Sequence, residues 1–278
     1  MSNTNDFIIE DGILKVYRGA GGDIVIPDEV TGFLFVFAEF WEPFTLTLSK
    51  NMKANYDTLL SPGIVTVNIP AGTELECSSF GPNHSSSFTQ LKEINVDPEN
   101  QSCASENGIL YSKDMTILYA CPAAYEGEVV IPETVKEIGK RAFDGCKNLT
   151  EIIIPSTVEE IGERAFMDCK SLKKVVIQGD KTKIGKEAFL RCGKITTAGL
   201  YGSVKEKRGY SFEFPWTSSI PENAFSGMNK LKTVVLPDTV KSIGKNAFKG
   251  CKSLESINLP ENVKCDKKTF KDCKKLSV

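Results

Sequence analysis

The sequence predicts an α/β solenoid, a stack of coils that each contain one short parallel strand and one short helical turn. Three observations carry that reading. A 23-residue segment recurs in phase, apolar residues alternate along one part of each copy, and an Ile-Gly-x-x-Ala-Phe-x-x-Cys group sits at a fixed offset in the rest. Residues 131–153, 154–176 and 236–258 share the pattern (I/L)-P-x-T-V-x-x-I-G-x-x-A-F-x-x-C-x-x-L. A period of this size marks a repeat architecture.

Each element of the coil follows from its residues. Leu149, Ile152 and Ile154 alternate with Glu151 and Ile153, the period-2 pattern of a strand. Pro155 ends that strand because it cannot donate the next ladder hydrogen bond. Val158 and Ile161 then point inward from a loop, and Ala165, Phe166 and Cys169 fall at helical spacing, which predicts a short helical turn on the far side. One such unit cannot bury its own apolar edge. Stacked at about 4.8 Å, coils cover each other's Val, Ile, Phe, Cys and Leu, at roughly 2 kcal/mol per buried Leu, Ile or Phe. Thr134, Thr157, Thr239, Asn262 and Asp180 recur at one repeat position and are expected to hydrogen-bond the loop backbone of the next coil.

Further copies are degenerate but in phase. Residues 177–195 keep Ile184, Gly185, Ala188, Phe189 and Cys192; residues 220–235 keep Ile220, Ala224 and Phe225; the last copy keeps Pro260, Val263, Phe270, Cys273 and Leu276. Upstream, Ile26-Pro27, Leu48-Ser49 and Ile69-Pro70 fall 22 and then 21 residues apart. The expectation is a single domain, 1–278, repetitive from about residue 24. Residues 1–130 hold eroded copies and a hairpin insert, and 131–278 hold regular copies interrupted at 196–219.

The motif resembles that of the BspA-like leucine-rich repeat proteins, closely over 131–195 and 220–278 and loosely over 24–100. Residues 94–120 resemble the hairpin-bearing insert of that family, with Asn107-Gly108 and Lys113-Asp114 as turn signals. Residues 197–215 resemble a cap-like unit with a short helix, Ser203 serving as N-cap. The resemblance implies a right-handed leucine-rich repeat solenoid, elongated or curved, used for binding and without enzymatic activity. It also implies a place on bacterial cell surfaces and a protein partner, with adhesin-like recognition of host or extracellular-matrix protein or glycan.

Composition narrows the function classes. The chain has 278 residues, of which 41% are hydrophobic and 25% charged, so it is not a disordered polyelectrolyte. It has one His, His84, in a polar loop, which leaves no multi-His metal site. No nucleophile elbow accompanies it. Gly19-Ala20-Gly21-Gly22 precedes a strand-like Ile24-Val25-Ile26, so it reads as a turn between the first two strands rather than a phosphate cradle. Five of the nine cysteines (Cys146, Cys169, Cys192, Cys251 and Cys273) share one repeat position and read as small packed hydrophobes. No C-x-x-C occurs, so a zinc ribbon has no support. Cys103 and Cys121 flank the hairpin insert and are the pair to bridge if the chain is exported. No cofactor or metal is expected. The polar, acidic start reads as cytoplasmic, against the surface location that the resemblance implies. No apolar run is long enough for membrane insertion, and a sequence pI of 5.7 argues against nucleic acid.

Two surfaces are candidates for a ligand. Val130, Ile153, Val176, Val235 and Asn258 share the outward strand position, flanked by Glu151, Lys174 and Thr233. The insert supplies Tyr201, Tyr210, Phe212, Phe214 and Trp216 beside Lys205, Lys207 and Arg208, the residue types of binding hot spots. Charge is divided along the chain: residues 1–130 carry 6 Lys+Arg against 18 Asp+Glu, and residues 131–278 carry 28 against 18. Oppositely charged halves, with an apolar edge expected at the last coil, make self-association through the solenoid ends the alternative function, strongest at low salt.

Overall fold

The computed structural model describes residues 6–33, 35–55, 61–80, 90–126, 128–178, 182–194, 197–199, 211–213, 218–236 and 238–277. They fall into two compact units, Met1–Gly127 and Glu128–Val278.

The first unit opens with a hairpin, β1 (Phe7–Glu10) and β2 (Ile13–Tyr17), paired antiparallel. Its turn is Asp11-Gly12, both with positive φ (49° and 75°), the geometry of a two-residue hairpin turn. The Gly19–Gly22 segment therefore lies after the second strand, not between the first two. Next come β3 (Gly22–Val25), β4 (Phe44–Thr47), β5 (Lys53–Ala54), β6 (Ile64–Ile69), β7 (Glu74–Leu75) and β8 (Glu93–Val96). β3, β4, β6 and β8 form a parallel sheet in which Ile24, Leu46, Val67 and Ile94 stand in one buried row. β9 (Cys103–Glu106), β10 (Ile109–Ser112) and β11 (Ile117–Ala120) make an antiparallel meander. Asn107-Gly108 turns the first pair, with φ of 51° and 76°. Hydrogen bonds from Ser112 and Thr116 to Asp114 hold the second turn and keep the Asp114 carboxyl below its ordinary value. A disulfide joins Cys77 to Cys103, with Cα atoms 6.4 Å apart, and Cys121 is a buried thiol outside that bridge. The expected Cys103–Cys121 bridge is thus replaced by one between residues a single coil apart.

The second unit contains the regular copies. Its strands are β12 (Glu137–Ile138), β13 (Glu151–Ile154), β14 (Glu160–Ile161), β15 (Lys174–Ile177), β16 (Lys183–Ile184), β17 (Thr197–Gly199), β18 (Ser211–Glu213), β19 (Ser219–Ile220), β20 (Thr233–Val235), β21 (Ser242–Ile243), β22 (Ser256–Asn258) and β23 (Lys264–Cys265). The main sheet is parallel in the order β13-β15-β17-β18-β20-β22. Short two-residue strands of successive copies also pair, β14 with β12 and β16, and β21 with β19 and β23. The interruption at 196–219 does not break the main sheet. Its residues supply β17 and β18, with Ala198 opposite Phe212 and Phe212 opposite Val234.

The predicted helical turn is corrected. No α-helix occurs among the described residues; a 3₁₀ turn spans Cys77–Phe80 in the first unit. The Ala-Phe-x-x-Cys stretch is a run of tight turns whose N–H groups alternate between two acceptors. The amides of Ala142, Asp144 and Cys146 bond three residues back, at 2.9–3.2 Å. Those of Arg141, Phe143 and Gly145 instead reach the next coil, at Glu163, Ala165 and Met167, at 2.7–3.0 Å. Beyond its first turn an α-helix directs every N–H to its own carbonyl four residues back and could not alternate in this way. Two left-handed residues per coil enforce the pattern: Arg141 and Gly145, Arg164 and Asp168, Asn246 and Gly250. The glycine of each Ile-Gly pair is required by close approach, since a Cβ on Gly162 would lie 2.7 Å from Lys140 N and one on Gly185 2.6 Å from Glu163 N.

These turns align the core. Phe143, Phe166, Phe189, Phe225, Phe248 and Phe270 stack face to face, with ring centroids 4.8–5.9 Å apart and planes within 17°. The thiols of Cys169, Cys192, Cys251 and Cys273 each donate to the carbonyl of a stacked Phe one coil back, at 2.9–3.3 Å. The cysteine position is therefore packed and hydrogen-bonded. At Thr157 the expected bond to the next coil is not formed, since its Oγ1 is buried without a partner, and Asp180 lies outside the described residues; Ser49, Thr73, Thr182 and Thr269 bond the backbone of a coil about one repeat away.

Two predictions follow from this packing. Phe166→Ala opens a void between two stacked rings and is expected to lower stability by about 3–5 kcal/mol in urea unfolding, against less than about 1 kcal/mol for Ile153→Ala on the surface. Burial pushes the Asp144 carboxyl up to about 6, only partly offset by Arg141, so the folded chain holds that proton more tightly than the unfolded one. Stability should therefore fall as pH rises from about 4 to about 6 through this group. Melting curves of Asp144→Asn should lose that part of the pH dependence.

Candidate interaction surface

The strands place alternate residues outward, and parallel register lines those residues up across coils. In the first unit the outward rows are Asp23–Thr45–Thr66–Glu93 and Val25–Thr47–Asn68–Asn95. The second row is internally bonded: Asn68 donates to Thr47 Oγ1 at 3.1 Å and Asn95 to Asn68 Oδ1 at 3.2 Å. Such a polar ladder satisfies itself, and Val25, at the row's start, is its exposed apolar member at 51%. Trp41, at 71% exposure, is the most exposed large apolar side chain described. Sequence reasoning passed over it within an aromatic-rich stretch. Its neighbours Phe33, Phe37, Phe40 and Phe44 pack together with Tyr17, whereas Trp41 remains outside that cluster.

In the second unit one register row begins Glu151–Lys174–Thr197 and continues through Ser211–Thr233–Ser256. Glu151 and Lys174 form an ion pair, and Ser256 donates to Thr233 at 3.3 Å. The other row contains Ile153–Val176–Gly199 and Glu213–Val235–Asn258. Ile153 is 47% exposed between the buried Ile152 and Ile154, Val176 is half-buried, and Val130, one repeat before Ile153, is 66% exposed. Gly199 and Glu213 separate that apolar start from Val235, which has its backbone in β20. Asn258 is exposed, but its side-chain amide is engaged by Leu236: Oδ1 accepts from the Leu236 N–H at 2.6 Å and Nδ2 donates to its carbonyl at 2.7 Å.

The aromatic insert is less fully placed. Tyr201, Tyr210, Phe214 and Trp216 lie outside the described residues, as does His84. Phe212 stands in β18, in register with Ala198 and with the buried Val234. Among the described residues no group of three His, Cys, Asp or Glu side chains is placed to hold a metal ion, and no helix is long and apolar enough to cross a membrane.

Comparison with known proteins fits these rows of stacked coils. The chain is similar in fold to a leucine-rich repeat protein from Eubacterium ventriosum, at 20% identity and a TM-score of 0.65, over 97% of this chain and 86% of that one. It is also similar to the pneumococcal vaccine antigen PcpA, at 21% identity and a TM-score of 0.54, over 92% of this chain and 57% of the antigen. No curated protein matches. The model of the BspA-type leucine-rich repeat region matches residues 124–215 and 210–278, in six copies. With more than half its length matched, the chain belongs to the BspA-type leucine-rich repeat family.

Proposed function

We propose that the chain is a non-enzymatic, adhesin-like interaction module that binds a protein or glycan partner on the strand face of its second unit. The observation that carries this reading is the apolar start of the outward row. Ile153 stands exposed beside the half-buried Val176, and Val130, one repeat earlier, is exposed as well, on a scaffold that buries the inward Ile152, Ile154 and Val175. Exposed apolar side chains on a rigid surface mark contact sites, and each is worth up to about 1.5–3 kcal/mol when a partner covers it. The adjacent Glu151–Lys174 pair gives that patch a polar rim, as interfaces have.

A cell-surface location agrees with the Cys77–Cys103 disulfide, since such bonds persist in oxidising compartments. The family, with a vaccine antigen among its fold relatives, points the same way.

Two measurements test the proposal. Immobilised extracellular-matrix proteins and glycans are to be probed with the parent chain and with Val130→Ser/Ile153→Ser/Val176→Ser. Binding by the parent that drops by roughly tenfold or more in the variant, with unchanged melting, supports the strand face; equal binding by both removes it. Thiol titration of the exported, denatured, unreduced chain should find seven thiols rather than the nine of the sequence. Nine would count against an oxidising destination.

A further inference from the structure

A second surface of the unit 128–278 borders the strand face without belonging to it. Each copy is counted here from its leading Ile or Leu, so that Ile131, Ile154 and Leu236 are first; the inward Leu149, Leu172, Leu231 and Leu254 are then nineteenth. Positions 17, 18 and 20, which flank that residue, hold nine lysines and a single acid, Glu255, across the six copies. Five of these lysines, Lys170, Lys194, Lys230, Lys252 and Lys274, come from successive coils. All five are exposed, and no ion pair to any of them is formed among the described residues. The coils that carry them stack with ring centroids 5.1–5.9 Å apart, so the row extends over about 20 Å with one positive charge per coil.

At position 10 of the same unit, by contrast, the stacked charges alternate in sign: Lys140 meets Glu163 at 3.4 Å and Lys186 meets Glu222 at 3.6 Å. Opposite charges in register stabilise a ladder and like charges destabilise it. A row of one sign thus adds nothing to the stack and costs some repulsion. What it offers is a line of cations at regular spacing, suited to a linear polyanion lying along the unit.

The chemistry of the row selects among polyanions. No aromatic residue occupies positions 17, 18 or 20 in any copy, so there is no platform for stacked bases. The cations are lysines, point charges that need no bidentate geometry. Beside them lie Ser171, Asn229 and Ser253, short amides and hydroxyls suited to sugar hydroxyl groups. We infer that this edge binds a linear sulfated polysaccharide along the stack of coils. The site lies on a different row from Val130 and Ile153, so the strand-face variant leaves it intact and the two readings fail separately.

The test uses fluorescently labelled heparin and the full chain, followed by anisotropy at low and physiological salt. The parent should bind, more weakly as salt rises. Changing Lys170, Lys194, Lys230, Lys252 and Lys274 together to Gln should weaken binding by roughly tenfold or more without changing the melting temperature. A control with Lys136, Lys241, Lys245, Lys264 and Lys267 changed to Gln, an equal charge removed from other edges, should stay within about twofold of the parent. Desulfated heparin should not compete. Equal loss in both variants would reduce the effect to diffuse charge and overturn the site. So would no binding at physiological salt, or equally tight binding of oligothymidylate.

Discussion

Everything in the second unit depends on how one short run of backbone divides its hydrogen bonds. Along each turn, alternate N–H groups close the turn itself and reach the neighbouring coil. That division sets the two left-handed residues, and it draws coils close enough that only glycine fits after the inward Ile. It also superimposes the phenylalanines. The stacked rings and the thiols that donate to Phe carbonyls follow from the same alignment, because side chains at one repeat position occupy one line along the stack. The burial of phenylalanine provides the driving force, while the backbone decides where it is spent.

Much of this was legible in the residues. The 23-residue step announces the stack, and the alternation around Ile152 and Ile154 announces which strand residues face in. The helical turn was the misreading. Ala165, Phe166 and Cys169 have a spacing that fits a helix and a chain of tight turns equally well, so side-chain periodicity cannot separate the two. The residue two after most of these Phe could have done so. Gly145, Asp168, Gly227, Gly250 and Asp272 adopt positive φ and are types that tolerate it, whereas Arg191, after Phe189, adopts it without being such a type. Asp11-Gly12 between alternating apolar residues was a comparable hairpin signal.

The cysteine pairing and the candidate surface show where sequence logic needs the stack to guide it. Cys103 and Cys121 look paired because they bracket a hairpin. In a repeat array, however, neighbours in space are about one period apart in sequence, and Cys77 precedes Cys103 by 26 residues. Ile153 and Val176 share a register, as do Val235 and Asn258. The intervening Gly199 and Glu213 belong to a segment without the repeat motif, so no alignment of copies could have placed them there. Nor does a period reveal that the Asn258 amide is already committed to Leu236.

The interruption at 196–219 bears on how such chains can change. On the strand side, β18 is inserted between β17 and β20, whereas on the turn side Phe189 stacks directly on Phe225 at 5.9 Å. The two sides of one unit therefore need not contain equal numbers of layers. A segment can be spliced into the displayed sheet while the load-carrying column of rings continues beneath it, much as a course can be added to a wall's facing without disturbing its frame. New recognition surface can then be acquired in steps of half a coil, at a location where the column supplies the stability and the insert is left to vary.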